Sequence, residues 1–369
     1  MNCLFARIAA VACALAGWAS PAAAQQWRMQ YLYDEGKSVL DVQDVAFSSP
    51  MRGVAVGRIE ERGHERGVSL TTSDGGVNWR LSPLEDEPVS LFLLNDSLGW
   101  MVTEKGLWRT AEGGKGWVKL PKVPAPALRV FFVDERRGWA ACGNKTVLAT
   151  VDGGAHWVKV QEASRQPGTT AGTVYGWIAF ATPQVGIITG WDIPLHRDER
   201  YPDWLDPQRV VTRRETPHMT LTLETHDGGE TWKSTSASAF GEITRVRFGA
   251  PGYGLGIVTH SASFEYPSEV YRIPWPNGKA EPAYRDKDFC ATDAWLGPDG
   301  TAYLAGTVAF SKLRAYVPQK VKVLKTRNFT DWTPMPVDYR AVAKRVTLAG
   351  AGGDLWLATD NGMILKLAP

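Results

Sequence analysis

One short signature, present four times, constrains this chain more than any other feature. It is a Thr, an acidic residue two positions on, two glycines, and a Trp seven positions after the Thr. The copies are Thr72/Asp74/Trp79, Thr110/Glu112/Trp117, Thr150/Asp152/Trp157 and Thr225/Asp227/Trp232. A shortened fifth copy, Thr326/Asn328/Trp332, lacks one residue. Each copy marks one unit that cannot bury its apolar face alone, so the units must stack against one another.

Turn chemistry accounts for every residue of the motif. The glycines supply positive φ for a tight hairpin. The carboxylate accepts hydrogen bonds from turn N–H groups, and the Thr hydroxyl adds another. The Trp is expected to begin the returning strand and to cover the hairpin with a large ring whose N–H still needs a partner. The pattern resembles the Asp-box, or BNR repeat, of β-propellers. The repeated acids are therefore read as turn-locking side chains; an active site is usually built once. No catalytic residue, metal ligand or cofactor is assigned from the motif.

The N-terminus reads as a secretory signal over residues 1–24. Arg7 supplies the charged region, Ile8 to Trp18 the apolar run, and Ala22-Ala23-Ala24 the small-residue cleavage site, so the exported chain begins near Gln25. Later apolar runs fall short of the ~20 residues a spanning helix needs. The expected location is the periplasm or the medium. Beyond the signal only Cys142 and Cys290 remain, in separate predicted strands, and both are expected as buried thiols. The formal net charge of +2 leaves no basic footprint for nucleic acid.

The expected architecture is all-β: one seven-bladed propeller over residues 25–369. First strands are read at Val42–Phe47, Val89–Leu94, Ala127–Val133, Tyr175–Phe180, Ile243–Phe248, Phe289–Trp295 and Val342–Leu348. Their spacing is about 40 residues where nothing intervenes, as four strands per blade require. The last unit has only three strands, while Trp27–Tyr33 is unassigned. Placing that segment as the outer strand of blade seven closes the ring and removes an exposed edge. Blade five carries Tyr271 to Gly278 where a box belongs, so the hairpins of blades five and six are expected to be looser.

Irregular length collects at one end of the blades: Arg58–Gly67, Gln161–Thr173, Ser261–Pro267, Ser311–Gln319, and a blade-four insertion over 192–217. Loops of this kind carry function more often than the scaffold does. The insertion supplies the candidate partner-binding residues His196, Arg197, Arg200, Tyr201 and Trp204, with Arg213 and Arg214, types that anchor protein interfaces. It reads equally as a solvated loop or a plug over the channel. His196, Asp198 and Asp203 match no established metal spacing. Arg213 and Arg214, with Arg129, Arg136 and Arg137, have the chemistry to pair anionic groups, and most of them are read as surface charges.

Boxed hairpins combined with second strands opening Gly99-Trp100 and Gly138-Trp139 resemble the photosystem II stability/assembly factor-like family of exported seven-bladed propellers. That resemblance implies a non-enzymatic scaffold binding protein partners, among them membrane-protein assembly intermediates. The rival reading is an Asp-box glycoside hydrolase, of sialidase or another type. Tyr271-Arg272-Ile273-Pro274 looks like the sialidase Arg-Ile-Pro motif. It falls on a late third strand rather than an early channel-lining one, and no Tyr nucleophile with three convergent arginines can be assembled. Hydrolases using a pair of acids across a cleft stay open at this point.

Overall fold

The structure is a computed structural model, and it describes residues 25–166, 169–192, 218–249, 252–260, 264–276, 278–308 and 319–368. These residues form seven antiparallel sheets, the blades of a β-propeller. The first strand in the chain, β1 (Gln26–Leu32), is set aside for the last blade. Blade one comprises β2 (Ser38–Phe47), β3 (Gly53–Glu61), β4 (His64–Thr72) and β5 (Arg80–Pro83). Blade two is β6 (Pro88–Leu93), β7 (Gly99–Thr103), β8 (Gly106–Thr110) and β9 (Val118–Lys119). In blade three, β10 (Ala127–Phe132), β11 (Gly138–Cys142), β12 (Val147–Thr150) and β13 (Val158–Lys159) follow, then a short helix, α1 (Gln161–Ser164). Blade four is built from β14 (Val174–Phe180), β15 (Gly186–Trp191), β16 (His218–Thr225) and β17 (Lys233–Ala239).

Blade five holds β18 (Gly241–Gly249), β19 (Tyr253–His260), β20 (Ser268–Pro274) and β21 (Glu281–Arg285). Blade six holds β22 (Phe289–Leu296), β23 (Ala302–Val308), β24 (Gln319–Thr326) and β25 (Thr333–Met335), with the two-residue β26 (Val342–Ala343) paired to the start of β24. Blade seven contains β27 (Val346–Ala351), β28 (Asp354–Thr359) and β29 (Met363–Ala368), and β1 is its outer strand, paired from Gln26–Ala368 to Leu32–Met363.

Two expected boundaries move. Blade seven begins at Val346, because Val342 and Ala343 hydrogen-bond blade six instead. Arg58–Gly67 is no irregular loop: β3 and β4 stay in register from Arg58–Gly67 to Glu61–His64 and close in a turn at Arg62 and Gly63. The insertion lies outside the described residues beyond Asp192.

The boxed hairpins form as their chemistry requires. In blade one the Thr72 hydroxyl donates to Asp74 (2.9 Å) and accepts the Gly76 N–H (2.9 Å), while Asp74 Oδ1 accepts the Asn78 N–H (2.9 Å). Blades three and four repeat this with Thr150/Asp152 and Thr225/Asp227. With the longer Glu112, the Thr110 hydroxyl still accepts the Gly114 N–H at 3.0 Å. In the shortened box of blade six, the Thr326 hydroxyl donates to Asn328 Oδ1 and accepts the Phe329 N–H, both at 3.0 Å. The first glycine of each full box donates to the turn joining strands one and two of its own blade: Gly75 to Met51, Gly113 to Ser97, Gly153 to Arg136 and Gly228 to Gln184. Box and turn therefore share one end of the blade.

The box tryptophans depart from expectation in two respects. None begins the returning strand: Trp79, Trp117, Trp157, Trp232 and Trp332 each stand one residue before β5, β9, β13, β17 and β25. The register explains it. The ladders start at Arg80, Val118, Val158, Lys233 and Thr333, which leaves each Trp level with its own box Thr, whose hydroxyl closes the turn. Nor do all the indoles find an acceptor. Trp157 Nε1 donates to the Gly154 carbonyl and Trp332 Nε1 to the Ala283 carbonyl, both at 3.1 Å. The Nε1 atoms of Trp79, Trp117 and Trp232 are buried with no hydrogen-bond partner. Apolar packing places these rings instead. Trp79 meets Phe47 edge-on at 5.8 Å, and Trp117 packs beside Val54, Met101 and Trp108.

Neighbouring blades interlock through tryptophans of the second strands. Trp100 of blade two stacks on Phe132 of blade three, with centroids 3.6 Å apart, and donates to the Gly153 carbonyl at 3.0 Å. Trp356 of blade seven repeats this on Phe47 (3.5 Å) and the Gly75 carbonyl (3.1 Å) of blade one. Trp139 stacks on Phe180 of blade four at 4.6 Å and meets Trp232 edge-on. The second box glycine faces that indole: a Cβ on Gly229 would lie 2.3 Å from Trp139. Blade five has Leu255 after its Gly254, and the shortened box of blade six carries Phe329 (φ 62°) in the same apolar cluster. Of the cysteines, Cys142 is buried as expected and its thiol is pushed up to about 12 by that burial; Cys290, also expected to be buried, is only half-buried, and the two are not joined.

The hairpins generate two predictions. Gly229→Ala should cost about 1–3 kcal/mol through its clash with Trp139. Gly353→Ala, also at positive φ but in open space, should cost only about 1 kcal/mol of backbone strain; urea unfolding of both variants checks the difference. Asp152 and Asp227 are held down to about 2 by hydrogen bonds from the His156 and Thr231 turns. A carboxyl depressed in the folded state stabilises fully above its ordinary value of 3.8 and loses that contribution as pH falls through about 2. Between those pH values the melting temperature should fall, and fall less in Asp152→Asn/Asp227→Asn.

Candidate binding site

Six of the seven first strands break register at the same place. The shifts fall between 42 and 44, 88 and 90, 127 and 129, 175 and 177, 243 and 245, and 291 and 293. A bulge inserts one unpaired residue, increases twist and re-aims the side chain beside it. The residues following the bulges, Asp44, Ser90, Arg129, Trp177, Arg245 and Asp293, therefore occupy one level around the inner edge of the ring.

Two of them are blade-bridging carboxylates. Asp44 accepts its own neighbour's N–H (Val45, 3.0 Å) and the Leu91 N–H of blade two (3.0 Å). Asp293, with no exposed side-chain surface, does the same with Ala294 (2.9 Å) and Leu348 of blade seven (2.9 Å). Each also holds an arginine. Arg129 Nη1 reaches Asp44 at 3.0 Å, from two blades away. Arg247 grips Asp293 through Nε (3.0 Å) and Nη2 (2.7 Å), a bidentate pair. Ser90 Oγ donates to the Leu128 carbonyl, and Trp177 Nε1 to the Val246 carbonyl, both at 2.8 Å.

Three guanidinium groups converge on one indole, which corrects the expectation that no three convergent arginines could be assembled; they come from blades three and five and share no motif. Arg129, Arg245 and Arg247 lie 4.1, 4.5 and 5.1 Å from the centre of the Trp177 ring. Cation–π attraction and flat stacking let such groups approach one another. Three cations face two carboxylates, so the cluster carries one excess positive charge. It falls to Arg245. Its Nη1 donates to the Thr244 carbonyl (2.8 Å), while its Nε is buried with no hydrogen-bond partner. Burial pushes Arg245 down to about 10, with Arg129 and Arg247 opposing its charge and Asp293 supporting it. Burial also works against Arg247, but the Asp293 carboxylate outweighs it and the pKa rises. Asp293 is held low: burial resists its ionisation, and Arg247 more than compensates. Arg129 and Arg247 keep 18% and 30% of their side-chain surface exposed, so solvent reaches the cluster.

Such a site can bind an anion; it offers no activated nucleophile. An incoming carboxylate would neutralise the surplus charge at the partly exposed guanidinium groups of Arg129 and Arg247.

Sequence reasoning singled out one member of this cluster, Arg129, among five arginines able to pair anionic groups, most of them read as surface charges. Its partner lies 85 residues away in sequence, so spacing could not pair them. The alternation Arg245-Val246-Arg247, two charges flanking a buried Val in a first strand, was the available signal. Arg136 and Arg137 are the exposed charges expected, Arg137 pairing with Asp134 at 2.8 Å. Arg272 of the Tyr-Arg-Ile-Pro segment lies on β20 between the Tyr253 and Phe329 rings (4.8 and 5.2 Å), away from the arginine cluster. The box residues, from Thr72, Asp74 and Trp79 to Thr326, Asn328 and Trp332, build the hairpins and take no part in the cluster. His196, Arg197, Arg200, Tyr201, Trp204, Arg213 and Arg214 lie outside the described residues, as do Asp198 and Asp203. Among the described residues no group of three or more His, Cys, Asp or Glu is arranged to hold a metal, and no helix is long and apolar enough to cross a membrane.

The energetics separate the two kinds of charge. Asp293→Ala should destabilise by about 3–5 kcal/mol, because it strands Arg247 and removes the acceptor of two N–H groups. Arg245→Met, which removes the half-buried surplus cation and keeps an apolar stem over Trp177, should leave the melting temperature unchanged or raise it. Thermal denaturation of the two variants checks this.

No protein-family model and no curated protein matches the chain. Among solved structures it is similar to YCF48 from Cyanidioschyzon merolae, at 16% identity and a TM-score of 0.60, over 93% of this chain and 99% of that one. It is similar too to a structure of YCF48 bound to D1 peptide, at 15% identity and a TM-score of 0.59, over 93% and 95% of the two chains. A GH74 xyloglucanase from Xanthomonas campestris matches at 11% identity and a TM-score of 0.50, over 91% of this chain and 66% of that one. At these identities the shared property is the fold, a propeller as expected from the sequence.

Proposed function

We propose that this chain is an exported, non-catalytic propeller that binds a segment of a partner protein and takes an anionic group of that segment at Arg129, Arg245 and Arg247. The observation carrying this reading is the surplus cation: three guanidinium groups converge on Trp177, while the two neighbouring carboxylates are already occupied. Burying a charge this way costs stability unless a counter-charge arrives. The fold supports the reading, since a YCF48 of the same architecture has been seen with a D1 peptide bound. A membrane-protein assembly intermediate is the class of client proposed, with residues 1–24 directing export to the periplasm or medium. His196, Arg197, Arg200, Tyr201, Trp204, Arg213 and Arg214 are proposed as a second contact with the same client.

The hydrolase reading asks for a carboxyl group able to give up a proton, which needs a raised pKa. At the channel level Asp293 is instead held ionised by Arg247, and Asp44 accepts two N–H groups and an arginine. Those contacts favour binding over hydrolysis.

Calorimetric titration with peptides ending in a free carboxylate, and with their C-terminal amides, tests the proposal. Arg245→Met should weaken binding of the acid by about tenfold or more, or 1.4 kcal/mol, and added salt should weaken it further. Equal affinity for acid and amide, unchanged in the variant, would overturn it. Deleting residues 197–207 should leave the melting temperature intact yet lose a partner that co-purifies from the parent organism. Release of sugar from xyloglucan oligomers, abolished by Asp44→Asn, would replace binding with catalysis.

A further inference from the structure

The rim of a propeller is a ring of sheet edges, and each edge is a row of unpaired N–H and C=O groups ready to pair with another chain. Six of the seven outer strands here carry a device that prevents it. β9 and β13 are two residues long. β5 has four residues and ends in Pro83, and β25 has three with Pro334 at its centre. β21 contains Pro282, and its pairing is broken by a register shift between Val270 and Tyr271. β1 carries a shift between Met29 and Tyr31. Proline, bulges and shortness are the usual means of blunting an edge.

β17 has none of them. Its seven residues, Lys233 to Ala239, pair with β16 in unbroken register from Glu224–Lys233 to His218–Ala239. Lys233 to Ser238 are exposed and Ala239 half-buried, and no charged, aromatic or proline residue occurs from Ser234 to Ala239. From outside its ladder it receives Gln166 Nε2, 3.5 Å from the Thr235 carbonyl.

We infer that the β17 edge is a self-association surface whose occupant is the β17 of a second copy of this chain, in antiparallel alignment about a two-fold axis through Ser236. The segment is nearly palindromic in size: the axis sets Ser234 opposite Ser238 and Thr235 opposite Ala237, and it sets Lys233 opposite Ala239. No like charges meet, and no bulky side chain keeps the backbones apart. Identical antiparallel edges are complementary in their hydrogen bonds automatically. Because the other rim edges are blunted, the pairing is isologous and stops at two copies instead of running on as a fibre. The result is one eight-stranded sheet shared by two rims. This inference is independent of the anion site.

The test uses the full exported chain. In Ser236→Cys the two new thiols would face each other across the axis with Cα atoms about 4.5–5.5 Å apart, within disulfide range. Mild oxidation of dilute protein should give a covalent dimer of doubled mass. Ser234→Cys alone should not, since its two copies would lie about 14 Å apart along the strands; mixing it with Ser238→Cys should restore the cross-link. Val118→Cys, on the 70%-exposed Val118 of the blade-two rim, is the control for random collision. Sedimentation of the unmodified chain should show mass rising with concentration, and Ser236→Lys, which sets two ammonium groups on the axis, should lose that rise while keeping the native circular dichroism. A Ser236→Cys chain that cross-links no faster than Val118→Cys would overturn the inference. So would one that stays monomeric yet joins a cysteine-bearing extended peptide, which would assign the edge to client strands.

Discussion

The contact on which this ring depends is an indole lying across the seam between two blades. Trp100 and Trp356 each stack on an aromatic ring of the next blade and donate to a box glycine carbonyl there. The second box glycines Gly76 and Gly229 are selected twice, by positive φ and by the neighbouring blade's indole, which a Cβ would approach to 3.0 and 2.3 Å. The hairpin of one blade is finished by the second strand of the blade before it. No unit is complete in isolation, which is the physical meaning of the repeat.

With the rim held this way, the inner strands can carry charges that would otherwise be costly. Asp44 and Asp293 bond backbone groups of the following blades, so each acts as a strut as well as a counter-ion. Arg129 and Arg247 are anchored to those struts, and Arg245 is left over. The same rigidity that tolerates buried ions gives the surplus guanidinium a fixed position over Trp177, and preorganised donors lose little when a ligand arrives. Stability and binding draw on different members of one cluster.

Much of the architecture was legible in the sequence because turn chemistry is local. A threonine, an acid and two glycines specify a hairpin within eight residues, and a count of first strands gives the number of blades. What the motif could not convey is where its last residue would point. Trp157 finds an acceptor inside its own turn, whereas Trp79 and Trp117 are placed by apolar neighbours from other strands and leave a buried N–H unpaired. The boundary error at Val342 arose because a two-residue bridge to blade six is indistinguishable, by pattern, from the start of a strand. The charged cluster was illegible for the opposite reason. Arg129 meets an aspartate 85 positions earlier, and Arg247 an aspartate 46 later, so nothing in local spacing announces either pair. The bulges that bring them to one level leave no consistent residue type behind: Gln43, Val89, Leu128, Gly176, Thr244 and Thr292 occupy the extra positions.

The outer strand of the seventh blade comes from the opposite terminus of the chain, with Trp27 buried against Val321, Leu355 and Leu367. A ribosome delivers that strand before, and its partner after, every other strand of the seven sheets. Throughout synthesis the segment must wait, since Met363 to Ala368 do not yet exist, and the circle is sealed in a single late event spanning nearly the whole polypeptide. The entropic toll of so long a closure grows only logarithmically, yet contacts this remote in sequence slow the search. Loss of a few residues at either terminus would therefore be felt at the far end as well, as an open seam.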